Sequence, residues 1–327
     1  MNLRAPGFWQ AAPKTSLRAG LLAPLGALYH GEVQRRLAMA KPYRASCPVV
    51  CVGNATMGGV GKTPFVRMLA NELEQAGHRP HILTRGYGGS LKGPVRVTSD
   101  HAAKDVGDEP LMLASDFPVW VSRDRVLGAK AAADAGASVI VMDDGLQNPH
   151  LAKDRSLLLV DADSLFGNEE VFPAGPLRER PEAARARTHA VISVLANQDQ
   201  KTPDSLRAFA GHHPVAEAWF GIDAATIPHG PLIAFCGIGG PERFEASLRS
   251  AGADIAAFRA FADHHAFKSR ELKALTIEAE AKKAALVTTE KDFVRLAPQD
   301  RTGITPIPGR MRWRGGDAIL RLIQEIL

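Results

Sequence analysis

The run Gly53-Asn54-Ala55-Thr56-Met57-Gly58-Gly59-Val60-Gly61-Lys62-Thr63 limits what this chain can fold into more than any other feature. Before it stands Val49-Val50-Cys51-Val52, short, apolar and β-branched, as a strand buried on both faces should be. After it, Thr63–Ala76 has helical periodicity and is closed by Gly77. A strand that turns through glycines into a helix aims backbone N–H groups and the positive helix end at one point, and a phosphate suits that point. The pattern predicts a nucleotide loop in which Thr56, Met57, Gly58, Gly59, Val60 and Gly61 wrap ATP phosphates through their main chain. Lys62 then reaches the β- and γ-phosphates, and the Thr63 hydroxyl binds Mg²⁺. One position departs from GxxxxGK[ST]: Thr56 stands where the first glycine is expected.

Around this unit, apolar strands alternate with helices. His81–Thr84, Val119–Val121, Val139–Met142, Leu157–Val160 and Ala190–Val194 read as further strands, and Val126–Ala135 as a helix. That alternation predicts a P-loop NTPase-type α/β domain with a parallel sheet covered on both faces. The polar stretch Asn197–Pro231 gives no clear element. A second alternation follows, Leu232–Phe235, Phe244–Ala251 and Ala285–Thr288, which predicts a smaller C-terminal α/β domain. The expected division is an N-terminal helical segment at 1–36, a kinase-sized nucleotide domain at 37–225 and the smaller domain at 226–327.

Val139-Ile140-Val141-Met142-Asp143-Asp144-Gly145 is an apolar strand ending in carboxylates, the pattern that brings Asp143 or Asp144 to the metal beside a phosphate loop. Asp108, in Val106-Gly107-Asp108-Glu109-Pro110, opens a helix; it is either an N-cap or a base for an attacking hydroxyl. His264 and His265 form a pair in the second domain. Arg85, Arg123, Arg125 and Arg178 are candidates for neutralising phosphate charge.

Charge and cysteine content exclude other classes. The net charge of +5 resides in residues 1–50, where seven Lys and Arg face Glu32 alone; the rest holds 33 basic against 34 acidic groups. A charge-balanced body gives no electrostatic footprint for nucleic acid. Three cysteines without a CxxC pair support neither a disulfide scaffold nor a structural zinc site. The uncharged run Ala19–Gly31 is shorter than the ~20 residues of a span. Leu21, Leu22, Leu25, Leu28 and Tyr29 share a helical face with Arg18, Arg35 and Arg36 nearby, which suits either an interfacial helix on an anionic membrane or a helix packed on the domain.

Seven ordered motifs resemble the tetraacyldisaccharide 4'-kinase family along most of the chain. They are Gly53–Pro64, Arg85-Gly86-Tyr87-Gly88, Gly107-Asp108-Glu109-Pro110, Asp143-Asp144-Gly145-Leu146-Gln147, Pro173-Ala174-Gly175-Pro176-Leu177-Arg178-Glu179, Asp263-His264-His265 and Thr288-Thr289-Glu290-Lys291-Asp292. The resemblance implies an ATP- and Mg²⁺-dependent kinase of lipid A biosynthesis that phosphorylates the 4'-hydroxyl of an acylated glucosamine disaccharide 1-phosphate, giving lipid IVA. It implies Asp108 and His264 as the catalytic pair, with His265 the alternative; Thr63, Asp143 and Asp144 on the metal; and Arg85, Arg125, Gln147 and Arg178 near phosphate or substrate. It further implies a peripheral, monotopic enzyme on the cytoplasmic face of the anionic inner membrane, with no obligate protein partner. Asn148 stands where the family usually has His after the Gln.

Two other readings use the same loop. A partition or metal-insertion ATPase carries a signature Lys where Met57 stands, and a nucleotide-dependent membrane switch would couple ATP to helix docking. Thr289-Glu290-Lys291-Asp292 does not fit the [NT]KxD spacing of a GTPase.

Overall fold

The computed structural model describes residues 6–10, 16–263 and 265–327. Among them, thirteen strands form two sheets. The first eight are β1 (Val49–Gly53), β2 (Pro80–Thr84), β3 (Val95–Arg96), β4 (Val119–Val121), β5 (Val139–Asp143), β6 (Arg155–Asp161), β7 (Ala190–Leu195) and β8 (Val215–Ile222). A smaller sheet follows, made of β9 (Pro231–Cys236), β10 (Asp254–Ala260), β11 (Ala285–Thr289) and β12 (Ile304–Ile307), and β13 (Gly309–Arg314) then returns to the first. The larger sheet runs β13-β8-β7-β6-β1-β5-β2-β4-β3, and the smaller β10-β9-β11-β12. Both are parallel except at the two ends of the larger, where β3 and β13 run antiparallel.

The strand feeding the phosphate loop is central. β1 lies between β5 and β6 in parallel register, with Val52 opposite Asp143, and its five residues are all buried. Helix Lys62–Gln75 covers one face through Phe65, Leu69 and Leu73, none more than 1% exposed. Each such side chain contributes roughly 1.5–3 kcal/mol of burial, so the helix that presents the loop is anchored along its length.

The domain division is corrected at its C-terminal end. β8 and β13 pair from Gly309 opposite Ile222 to Arg314 opposite Glu217, so the chain leaves and re-enters the large domain through adjacent strands. Helix Gly316–Gln324 contributes Ile319 and Ile323 to the large core. The smaller lobe is thus an insertion between Ile222 and Gly309, and not the whole of 226–327. Trp313 packs edge-on against Phe65 at 5.7 Å, joining the returning strand to the loop's own helix.

The N-terminal helix spans Leu17–Met39, three residues beyond the expected segment end, and Ser16 caps it by accepting from the Ala19 N–H. Gly26 is buried against the Val171 carbonyl, where a Cβ would lie 2.6 Å from the oxygen. Tyr29 meets Phe172 edge-on at 5.8 Å while staying exposed, and Leu22 is half-buried, so Leu22 leaves the expected face. What remains well exposed is Leu17, Leu21, Leu25 and Leu28, with Tyr29 at 37% beside them and Met39 at the far end. Glu32 pairs with both Arg35 and Arg36, so their two positive charges are partly offset locally. No described helix is long and apolar enough to cross a membrane.

Candidate active site

Gly61 caps the loop helix in the left-handed region, φ +80°, a conformation that costs a glycine little. Gly53 ends β1 where a Cβ would meet the Leu146 Cβ at 2.6 Å, so the turn after β5 packs directly on the start of the loop. The Pro173–Glu179 segment straps the other side. The Met57 N–H donates to the Pro176 carbonyl at 2.6 Å, Thr56 bridges Leu177, and the Arg178 N–H donates to the Ala55 carbonyl at 2.7 Å. Two motifs far apart in sequence thereby hold one loop.

Inside the loop, the Lys62 ammonium donates to the Asn54 Oδ1 at 3.0 Å and lies 3.8 Å from the Asp144 carboxylate. Asn54 is fully buried and gives its own amide to the Thr56 carbonyl, which fixes the acceptor that holds Lys62. The Thr63 hydroxyl donates to Glu109 at 2.8 Å and lies 3.5 Å from the Asp143 carboxylate. Burial pushes Asp143 up to about 7, with the charges of Glu109 and Asp144 adding to it. Its Oδ1 is buried without a hydrogen-bond partner.

Asp144 behaves oppositely. Burial alone would raise it, but Lys62 and Arg178 outweigh that and hold it below its ordinary value. Its backbone is left-handed at φ 52°, a conformation that costs a non-glycine residue about 1 kcal/mol or more. An orphaned buried carboxylate oxygen beside a hydroxyl and a second carboxylate is an oxygen-donor set suited to Mg²⁺. Among the described residues no cluster of three His, Cys, Asp or Glu forms a complete cage. Mg²⁺ takes one or two carboxylates and fills its shell with phosphate and water.

The arginines separate. Arg178 donates to Asp144 at 2.8 Å and approaches Gln147 at 3.5 Å, which places it beside the loop carboxylate. Gln147 bridges the Asn54 carbonyl at 3.0 Å and buried Glu179 at 2.9 Å, which supports the loop from below. Arg85 is exposed at the end of β2. Arg125 is buried, with its guanidinium on the Ser122 carbonyl; burial brings it down to about 10, while the Asp143 charge opposes the fall. Asn148 uses its side chain to accept from the His150 and Leu151 N–H groups, a turn role that needs no imidazole.

Asp108 begins helix Asp108–Leu113, whose N-cap is Gly107, so Asp108 is not itself the cap. It pairs with Arg295 of the smaller lobe at 2.6 Å. His264 lies outside the described residues. His265 is held within its own lobe, 2.9 Å from Glu271 and stacked on Phe261. Asn54, Glu109, Glu179 and Arg295 were missed as site residues; the first three lie inside or beside quoted motifs, and only their long-range partners give them roles.

Comparison with known proteins places the chain in a family. The family model described as tetraacyldisaccharide-1-P 4'-kinase matches residues 18–327. A tetraacyldisaccharide 4'-kinase of Caulobacter vibrioides is 48% identical over 336 residues, covering 100% of this chain and 99% of its own. One from Rhodospirillum centenum is 45% identical, covering 99% and 97%. The crystal structure of LpxK from Aquifex aeolicus in complex with ATP superposes with a TM-score of 0.76 at 27% identity, over 95% of this chain and 99% of that one. With the phosphate loop, the carboxylate strand end and a match across nearly its full length, the chain belongs to the tetraacyldisaccharide 4'-kinase family.

Proposed function

We propose that the protein transfers the γ-phosphate of ATP to the 4'-hydroxyl of a tetraacylated glucosamine disaccharide 1-phosphate, giving lipid IVA in lipid A biosynthesis. The observation that carries this is the pairing of a complete ATP loop with a separate carboxylate, Asp108, where the two lobes meet. A partition-type ATPase is not favoured, because Met57 occupies its signature Lys position and the family match spans residues 18–327. A membrane switch is not favoured on the same match.

In this reading the backbone N–H groups of Gly58–Gly61 and the Lys62 ammonium, aimed by Asn54, bind the β- and γ-phosphates; the Met57 N–H, expected to join them, is taken by the Pro176 carbonyl. Thr63 and Asp143 hold the metal, with Asp144 and Glu109 beside it. When bound, Mg²⁺ supplies neutralisation of the charge on the β- and γ-oxygens. Arg178, fixed to Asp144, faces the same charge from the loop mouth. Arg125 acts through the field it places behind Asp143, and exposed Arg85 is open to the incoming substrate. Asp108 orients the 4'-hydroxyl and accepts its proton as the new O–P bond forms and the bond to ADP breaks. A carboxylate suffices because the transition state is loose and proton transfer is late. His264 acts with Asp108.

The acceptor carries four acyl chains, so the site must work at a lipid surface. The exposed leucines of the N-terminal helix give the protein an apolar ridge for the anionic cytoplasmic leaflet, with Arg18 near its start. Incubation with ATP, Mg²⁺ and the disaccharide 1-phosphate in detergent, followed by mass analysis, should show one added phosphate. Asp108→Asn should strongly reduce that product while nucleotide binding persists. ATP consumption with no phosphorylated lipid would sink the assignment.

A further inference from the structure

The Thr288–Asp292 motif has no part in the chemistry above, yet its surroundings give it one. Helix Glu290–Phe293 and the two residues after it face the large domain with three charged side chains. Glu290 pairs with Arg67, on the phosphate-loop helix, at 2.7 Å. Lys291 pairs with Glu109 at 3.1 Å. Arg295 pairs with Asp108 at 2.6 Å. One short segment of the smaller lobe therefore touches the loop helix and both adjacent carboxylates at the start of helix Asp108–Leu113.

Arg295 is the most constrained of the three. Its side chain is 7% exposed, and that of Asp108 is 15% exposed. Its Nε donates to the Asp108 Oδ2, while its Nη1 donates to the Asp292 Oδ1 at 2.7 Å and the Gly237 carbonyl at 2.9 Å. Asp292 is fully buried and is fixed in turn, accepting from the Gly237 N–H at 2.9 Å and the Thr289 hydroxyl at 2.7 Å. A planar guanidinium held at its other end in this way can present its Nε–H in one direction. The backbone at Asp108 is also fixed: Gly107 has φ +94°, and a Cβ there would lie 2.4 Å from the Tyr87 carbonyl oxygen. With the main chain set, the contact to Arg295 constrains where the carboxylate points.

We propose that Arg295 is a positioning residue for the transfer step: anchored by Asp292 and Gly237, it sets the orientation of the Asp108 carboxylate only while the smaller lobe is docked. The inference rests on the reading of Asp108 as the group that receives the acceptor hydroxyl. Lys291 and Glu290 keep the lobe in register, so the base is assembled from two lobes and not from the large domain alone.

The test uses the full chain with ATP, Mg²⁺ and the disaccharide 1-phosphate in detergent, comparing wild type, Arg295→Met, Arg295→Lys, Asp108→Asn and the Arg295→Met/Asp108→Asn double variant. A misplaced catalytic group costs on the order of 10²-fold, so Arg295→Met should lower kcat by roughly 10- to 100-fold with KM for ATP changed less than about threefold. Arg295→Lys keeps the charge but not the fork, and should recover only part of the loss. In the double variant, loss of Arg295 should add little to loss of Asp108, because both act through one carboxylate. Three results would overturn the proposal: wild-type kcat in Arg295→Met; a rise in KM for ATP as the main effect, which would place Arg295 on phosphate; or multiplicative losses in the double variant. Should Arg295→Met fail to fold, as read from its melting curve, Arg295→Lys carries the kcat and KM comparison alone. An active Asp108→Asn variant would instead remove the Asp108 reading itself.

Discussion

Replacing Asp143 by Asn should stabilise the metal-free protein while disabling it. The carboxylate sits fully buried beside Glu109 and Asp144, and its titration point is pushed up from 3.8 to about 7. The folded form thus holds this proton more tightly than the unfolded chain does. The group costs no stability below pH 4, an increasing amount as pH rises from 4 through 7, and the full amount above. That full cost is about 4 kcal/mol. An amide cannot recover all of it, because Oδ1 has no hydrogen-bond partner and the hydroxyl of Thr63 is 3.5 Å from Oδ2. About 2 kcal/mol should remain, a rise in Tm of roughly 3 °C at pH 8. The assay is thermal unfolding of both proteins at pH 8 and pH 6, with and without Mg²⁺ and ATP. The advantage of the variant should shrink at pH 6, where wild-type Asp143 is largely protonated. Comparing the two proteins at each pH cancels the histidines, among which His30, His81, His189 and His213 are held below their ordinary value chiefly by burial and so oppose the trend. With Mg²⁺ and ATP the order should reverse, since wild type gains ligand stabilisation that the variant lacks. A metal-free variant that melts lower at pH 8, or a difference independent of pH, would refute the reasoning.

Lys62→Ala should reduce kcat by at least 10²- to 10³-fold, the loss expected for a preorganised charge at the transferring group, and near-normal turnover would take the loop out of the mechanism. The triple change of Leu21, Leu25 and Leu28 to Glu should release the protein from anionic vesicles in a sedimentation assay without lowering Tm, because all three side chains are exposed; unchanged pelleting would move the attachment surface elsewhere. Gly26→Val drives a side chain into the Val171 carbonyl and should cost about 1–3 kcal/mol in thermal unfolding. Gly20→Ala, on the same helix with nothing within 4 Å, is its control and should not destabilise.

What could be read from the sequence was what is local. β1, the glycine turn and the helix after it are contiguous, and so is the strand that delivers Asp143 and Asp144. Glu109 was invisible as a site residue because its meaning comes from Thr63 and Lys291, 46 and 182 positions away. β8 was hidden in a polar stretch, where Glu217 is buried by accepting from Thr202 and pairing with Arg207 and Arg314. β13, Gly-Arg-Met-Arg-Trp-Arg, alternates correctly for a strand, but its arginines mask the apolar Met311 and Trp313 that face the core. Strand order across a sheet has no local signature, so the return of residues 309–324 to the large domain could not be read at all.

That return has a consequence for how the protein is made. Phe65 and Gly61, at the nucleotide loop, pack against Trp313 and Met311, which are translated about 250 residues later. A chain emerging from the ribosome has the loop early, yet cannot finish packing the helix behind it until the inserted lobe has been synthesised. The lobe begins and ends at Ile222 and Gly309, which face each other across one pair of strands, so it can fold on its own timetable without straining its host. The helix behind the phosphate loop is therefore fully packed only once residues 309–314 have been made and have paired with β8.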